Sequence, residues 1–398
     1  MTFSVDSVDN VDTHKTDNLM ELSLPELHGR LSNSNQGDPE AIKAAIRAQL
    51  PTVKTTGLLP HKKTPRGSTK VLHMNYMHSQ TDASGQTEIE HLQFFARTVK
   101  ELGLRLEILT DNSCREEIDQ ELYQPPYQGL NFGVTISQEP VSKWAEDSVE
   151  YLQNGQMAVL SLFDQELLDE AMQAGRRDRW QGKVPPERLE DMLQNDQRWI
   201  LLGTRVNALQ TSLERERVAQ IHGQQVARIR AYIEGGNMIT GEDAKGNPLI
   251  LVGKDAIAAT AHIYQLSYDD IRHVICEDFG LDTLEQVVCV EQPGNFHLDM
   301  GLLFLGNGII VLNDSSAALK DAIEIAELTP CTTTEQKAAK LKLRHSLEED
   351  ASKDLQLAGL KVIRKTLEND VFYNFFNGEF VEGDDSLTYY ITNGGLKE

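Results

Sequence analysis

Positive charge is scarce in this chain. Its 38 Lys and Arg stand against 61 Asp and Glu, a formal net charge of −23 over 398 residues. That balance argues against a nucleic-acid binder, because phosphates would be repelled. It suits a cationic substrate or a basic protein partner, and it also aids solubility. Cysteine is scarce too: Cys114, Cys276, Cys289 and Cys331 are irregularly spaced. No CxxC pair or His/Cys cluster suggests zinc, and four free thiols in a reducing compartment are expected. No apolar run approaches a membrane span. Met1 to Asp6 lacks a basic stretch followed by an apolar one, so no secretory signal is read there and a cytoplasmic location is expected. No Walker sequence or Rossmann glycine fingerprint occurs, and no cofactor is expected.

What is present is an ordinary globular composition, 40% apolar and 25% charged. The length suits two domains, or one large domain with extensions. Residues 1–66 are rich in Ser, Asp, Asn, Thr and Lys and read as a flexible N-terminal extension. Within it Asp38-Pro39-Glu40-Ala41-Ile42 has a helical pattern, and the basic, Pro/Gly-punctuated stretch Leu58 to Thr69 reads as a linker. Residues 67–398 read as the folded domain. Val71 to Tyr76 is a strand and Thr87 to Leu102 a helix, with Ile89, Leu92, Phe95, Ala96 and Val99 on one face and Gly103 ending it. Leu104, Leu106 and Ile108 alternate as a second strand, which makes a β-α-β start. Met157 to Leu162 is a further strand, and residues 164–228 form a polar helical insertion. Ile250 to Val252 and Val287 to Val290 are buried strands. Hairpins are expected at 301–312, around Gly306-Asn307-Gly308, and at 372–391. The fold class is α/β with small repeated units.

Three polar motifs interrupt apolar sequence: Trp144-Ala145-Glu146-Asp147, Glu234-Gly235-Gly236-Asn237 and Phe296-His297-Leu298-Asp299. Taken alone, the first reads as a capping aspartate beside a buried tryptophan. The second reads as a strand ending in glycines, where backbone or ligand approaches closely. In the third, His297 and Asp299 at i and i+2 of an extended segment would face one side. Carboxylates match the planar N–H fork of a guanidinium two bonds at a time, and a histidine moves protons near neutral pH.

The order of these motifs resembles the guanidine-modifying enzymes of the pentein fold: arginine, agmatine and peptidylarginine deiminases and amidinotransferases. The resemblance runs from about residue 70 onward. It implies a pentein-like α/β propeller of repeated ββαβ units. On it, Asp147 and Asp299 match the carboxylates that clamp the guanidinium, with Trp144 and Asn237 as further substrate-binding residues. His297 matches the general acid/base and Glu234 the acid beside it. Tyr390 to Gly395 resembles a late Asn-Gly-Gly strand end. The implied partner is a guanidino small molecule or an arginine-bearing protein, with no nucleic acid and no membrane. Two departures stand out. Glu146 occupies a position where agmatine deiminases carry arginine. The family's late cysteine nucleophile has no counterpart among the four cysteines, so the last unit is expected to be incomplete. The resemblance therefore implies a hydrolase or transferase whose nucleophile lies outside this sequence, or a protein that only binds.

Overall fold

The computed structural model describes residues 19–31, 37–50, 59–77, 88–138, 141, 145–146, 149–153, 155, 157–159, 165–199, 216–217, 219, 226–293, 297–366 and 375–392. Trp144, Asp147 and Phe296 lie outside the described residues, as do parts of the expected strand at 157–162, the helical insertion and the 372–391 hairpin.

The chain divides into two units, residues 1–52 and 53–398. In the first, the helices Leu24–Leu31 and Pro39–Gln49 contact each other and bury Leu27, Ile42, Ala45 and Ile46. Asp38 caps the second of these, its carboxylate accepting from the Glu40 amide at 3.1 Å, with Pro39 at the first helical position.

The second unit is mixed α/β. Strands β1 (Val71–Tyr76), β2 (Arg105–Asp111) and β3 (Asn131–Ser137) form a parallel sheet. The helices Glu88–Leu102 and Arg115–Leu122 connect them. Leu92, Ala96 and Val99 of the first helix fall at helical spacing and are fully buried. Gly103 ends it at φ +69°, and the Leu104 amide reaches back to the Val99 carbonyl at 2.8 Å.

Three further sheets share one connection order: a hairpin, then helices, then a third strand parallel to the second. They are β4 (Val149–Tyr151), β5 (Met157–Val159) and β6 (Val226–Arg228); β7 (Met238–Glu242), β8 (Pro248–Gly253) and β9 (Val287–Val290); and β10 (Leu302–Gly306), β11 (Ile309–Asn313) and β12 (Lys361–Lys365). The helical insertion, Gln165–Trp180 and Pro186–Trp199 among the described residues, is thus the crossover from β5 to β6. A final hairpin pairs β13 (Gly378–Glu382) with β14 (Thr388–Thr392). Of the expected first arm of that hairpin, 372–374 lie outside the described residues, Phe375 and Phe376 lie in bends, and the strand that pairs with β14 begins at Gly378. The aromatic run misled because Phe376 is buried as an anchor before the strand rather than in it. No sheet among the described residues closes on itself.

Two apolar cores matter for the site. Val381, Tyr389 and Ile391 of the last hairpin join the core of the first sheet. The second core lies between the β7–β9 and β10–β12 sheets and the long helix Thr332–Leu357, and holds Leu251, Val290, Leu298, Phe304, Leu312 and Leu355. Phe304 lies so close to Gly241 that a Cβ there would strike its ring.

The stretch Leu59 to Thr69, expected to be a linker, runs as a strap across three hairpins. The His61 amide donates to Tyr151 at 2.7 Å, the Lys63 amide to Thr240 at 3.0 Å and the Thr69 amide to Phe380 at 3.1 Å. Pro and basic residues gave it a solvent-facing composition. Its cations instead meet Glu146, Glu150 and Glu242.

Leu298 is fully buried while its neighbours His297 and Asp299 carry polar groups, so it anchors their turn. Leu298→Ala should cost about 2–5 kcal/mol, as truncation of a buried Leu does. Leu387→Ala, at a position 59% exposed, should change stability by less than about 0.5 kcal/mol. Urea denaturation of the two variants checks this. Equal midpoints would remove the anchoring role.

Candidate functional site

The segment Ala231 to Glu234 enters the site as irregular extended backbone, not as the expected strand, and Gly235–Asn237 forms a single 3-10 turn before β7. Glu234 caps that turn, and the Asn237 amide donates to its carbonyl at 2.8 Å. Both glycines are required by close approach. A Cβ on Gly235 would strike the backbone of Glu146, and one on Gly236 would strike the His297 ring. Gly253, at the end of β8, leaves room for the Asn237 amide in the same way.

His297 and Asp299 sit in a turn, not on the extended segment the i, i+2 spacing suggested. The turn forms because the Leu298 and Asp299 amides both donate to the Gly236 carbonyl, at 2.9 and 3.2 Å. The two side chains still meet: His297 Nδ1 and Asp299 Oδ1 lie 3.9 Å apart. On the other ring edge, His297 Nε2 lies 2.8 Å from Glu234 Oε2, the imidazole N–H donating to the carboxylate. Tyr232 donates its hydroxyl to the other oxygen of Glu234. Glu234 and His297 are only 9% and 5% exposed, so the acid that orients the ring is itself held in a dry setting. Asn237 is buried in the same turn.

A second group of charges surrounds the Lys63 ammonium, which no sequence motif singled out. Lys63 Nζ donates to Glu146, to Glu150 Oε1 at 2.9 Å, and to the carbonyls of Gly235 and Met238 at 3.0 and 3.1 Å. Glu146, the residue that departs from the agmatine-deiminase motif, thus has its own cation. Burial opposes the charge on Lys63, but the Glu146 and Glu150 carboxylates outweigh it and keep the ammonium protonated. Burial pushes Glu150 up to about 7, with the charges of Glu146 and Asp299 adding to it against the pull of Lys63. Glu379 on β13 is pushed up to about 8 by burial and by Glu146 and Glu150. Burial, helped by Glu379 and Asp299, also raises the Tyr390 hydroxyl, which donates to the Phe376 carbonyl at 2.5 Å. Glu150, Glu379 and Tyr232 lie outside every motif, on strands or approaches whose alternation alone does not mark them, and Tyr390 opens the late Asn-Gly-Gly run without being marked as a site residue.

Of the expected site residues, Glu234, His297, Asp299 and Asn237 come together around the Gly235–Asn237 turn. Trp144 and Asp147 lie outside the described residues. Asp314, His345 and Glu348 are grouped as metal ligands would be. Glu348, however, accepts from Asn313 Nδ2 at 2.6 Å and from the Ser315 amide and hydroxyl at 2.8 Å each. Arg344 and Arg364 lie within 3.5 Å of it, so the group is already neutralised and does not suit a metal cation. Burial pushes the Cys276 and Cys289 thiols up to about 11 and raises Cys114 also. Cys331 is exposed at the start of the Thr332–Leu357 helix.

No protein-family model and no curated protein matches the chain. Solved structures do. One, provisionally assigned as an agmatine deiminase, superposes with a TM-score of 0.50 at 12% identity, covering 83% of this chain and 84% of its own. The agmatine deiminase of C. jejuni gives 0.44 at 13% identity, over 83% of this chain and 80% of its own. That of Enterococcus faecalis gives 0.46 at 14% identity, over 82% and 76%. At such identities the first of these shows a shared fold, which accords with the pentein-fold resemblance carried by the motifs.

Glu150 and Glu379 titrate at about 7 and about 8 when folded, above the ordinary 4.5. The folded state then holds protons that the unfolded chain has released. Their contribution to stability is full below about pH 4.5 and is lost as pH rises through about 7 to 8. The urea midpoint should fall between about pH 6 and pH 8, and Glu379→Gln should flatten that fall. An unchanged slope in the variant would mean that Glu379 ionises as a solvated acid does.

Proposed function

We propose that this chain binds a guanidino group through Asp299 and, from the same motif set, Asp147, with Trp144 and Asn237 completing the binding surface. His297 serves as acid and base, oriented by Glu234. The observation that carries this reading is the Tyr232–Glu234–His297 relay beside Asp299, two distant segments joined on one glycine carbonyl. A carboxylate that accepts from one ring nitrogen fixes the imidazole tautomer and supports its positive form. The nitrogen facing Asp299 is then the one placed to exchange a proton with a ligand held there.

The reaction class is that of a deiminase-like hydrolase or an amidinotransferase. A guanidino small molecule such as agmatine, the substrate of the neighbouring enzymes, or an arginine-bearing protein would be the ligand. The five sheets are read as blades of a pentein-like propeller around this site. In that chemistry a thiolate adds to the guanidinium carbon, ammonia or an amine leaves with a proton from the histidine, and water or an acceptor amine resolves the adduct. Three of the four thiols here are raised by burial and stay protonated at neutral pH, and the fourth, Cys331, is lowered by its hydrogen bond with Thr334 but bonds no residue of the Glu234–His297–Asp299 group among the described residues. That favours binding without turnover as the activity of these 398 residues alone.

Asp299→Ala should weaken agmatine binding about tenfold or more in calorimetry, the loss of one charge-assisted pair. The 398-residue protein should release no ureido product from agmatine or arginine. Equal affinity in wild type and variant would remove the clamp, and robust ureido formation would show that a nucleophile is present after all.

A further inference from the structure

The strap crossing the site carries at Lys63 a cation with four partners, and what those partners do defines its role. Lys63 Nζ holds both ends of the Gly235–Asn237 turn through the carbonyls of Gly235 and Met238. It also holds Glu146 and Glu150 from the segment alongside. The other side of the same turn carries the Gly236 carbonyl that docks Leu298 and Asp299, and Glu234 that orients His297. Lys63 itself is fixed from behind by the hydrogen bond its backbone amide donates to the Thr240 carbonyl. Its ammonium touches neither His297 nor Asp299 among the contacts of the described residues. The structure assigns Lys63 as a positioning residue: its buried ammonium fixes the height of the Glu234-Gly235-Gly236 turn and screens His297 from the carboxylates of Glu146 and Glu150.

Three physical consequences separate this role from simple packing. Removing the charge takes a donor from the Met238 carbonyl, leaves the Gly235 carbonyl with the Met238 amide alone, and sets two carboxylates facing each other, so the turn loosens where His297 is held. The imidazole, already facing Glu234 and Asp299, then feels Glu146 unscreened, which favours its protonated form. The lost group is also a small cation in a site with four ready acceptors, so an external amine can replace it.

The test follows the His297 imidazole by NMR, assigned by subtraction with His297→Gln, in wild type, Lys63→Arg and Lys63→Met. The Met variant should titrate about one pH unit higher than wild type, and the Arg variant close to wild type. In Lys63→Ala, n-propylammonium should return the titration toward the wild-type position, and n-propanol should not. Agmatine affinity should fall about tenfold in Lys63→Met, and this arm rests on the guanidino-binding reading above. If wild type binds no agmatine while the His297 titration still moves, the guanidino reading fails and the positioning role stands. If Lys63→Met does not fold, Lys63→Met/Glu150→Gln, which removes a carboxylate with the ammonium, is compared with Glu150→Gln. Identical His297 titrations across the folded pair, or equal rescue by amine and alcohol, would overturn the assignment.

Discussion

Two amides donating to one glycine carbonyl hold the site together. Leu298 and Asp299 both bond to Gly236, and this is possible only because Gly236 has no side chain where the His297 ring lies. The contact brings the 234–237 turn and the 297–299 turn within reach of each other. The Glu234–His297 pair then closes over it, and the burial of Leu298 in the core between two sheets keeps it from opening. A side chain at position 236 would separate an acid from the base it orients without touching either residue.

Much of the fold was legible because periodicity speaks for elements with one apolar face. The helix ending at Gly103, the strand from Val71 and the Gly306-Asn307-Gly308 hairpin all stand where alternation and helical spacing put them. The last hairpin was misplaced because aromatic residues mark burial, and Phe376 is buried without belonging to a strand. The site was legible in its catalytic-looking letters and illegible in its geometry. His297 and Asp299 share a side because of a turn, a fact that depends on a carbonyl 61 positions earlier in the chain and not on their own spacing. Lys63 was illegible for a related reason. A lysine in a Pro/Gly-rich stretch has the composition of a solvated linker, and only tertiary contact reveals four acceptors around it.

Several charges buried beyond the site are met by opposite ones among the described residues. Asp255, at the start of the Lys254–Tyr264 helix, takes both Arg176 and Arg179 from the helical insertion, and Arg179 also reaches Glu291. Burial opposes the charge of Asp255, but the two guanidinium groups hold its carboxyl below the usual range. Gln292, which bonds the Asp255 amide at 3.3 Å, stands next to the residues that lead to His297. The insertion is therefore tied by ionic contacts to the framework under the site. Apolar contacts join it to the same helix, where Ala171 and Met172 meet Ala259.

The strap joins partners that are remote along the chain: Lys63 and the Met238 carbonyl are separated by 175 positions. Closing so long a loop is entropically unrewarded until the sheets it crosses already exist. The juxtaposition of His297 and Asp299 should then be among the last features to appear as the chain folds. A ligand held by that pair would report on completed assembly of the whole second unit, and no excised sheet would inherit the site.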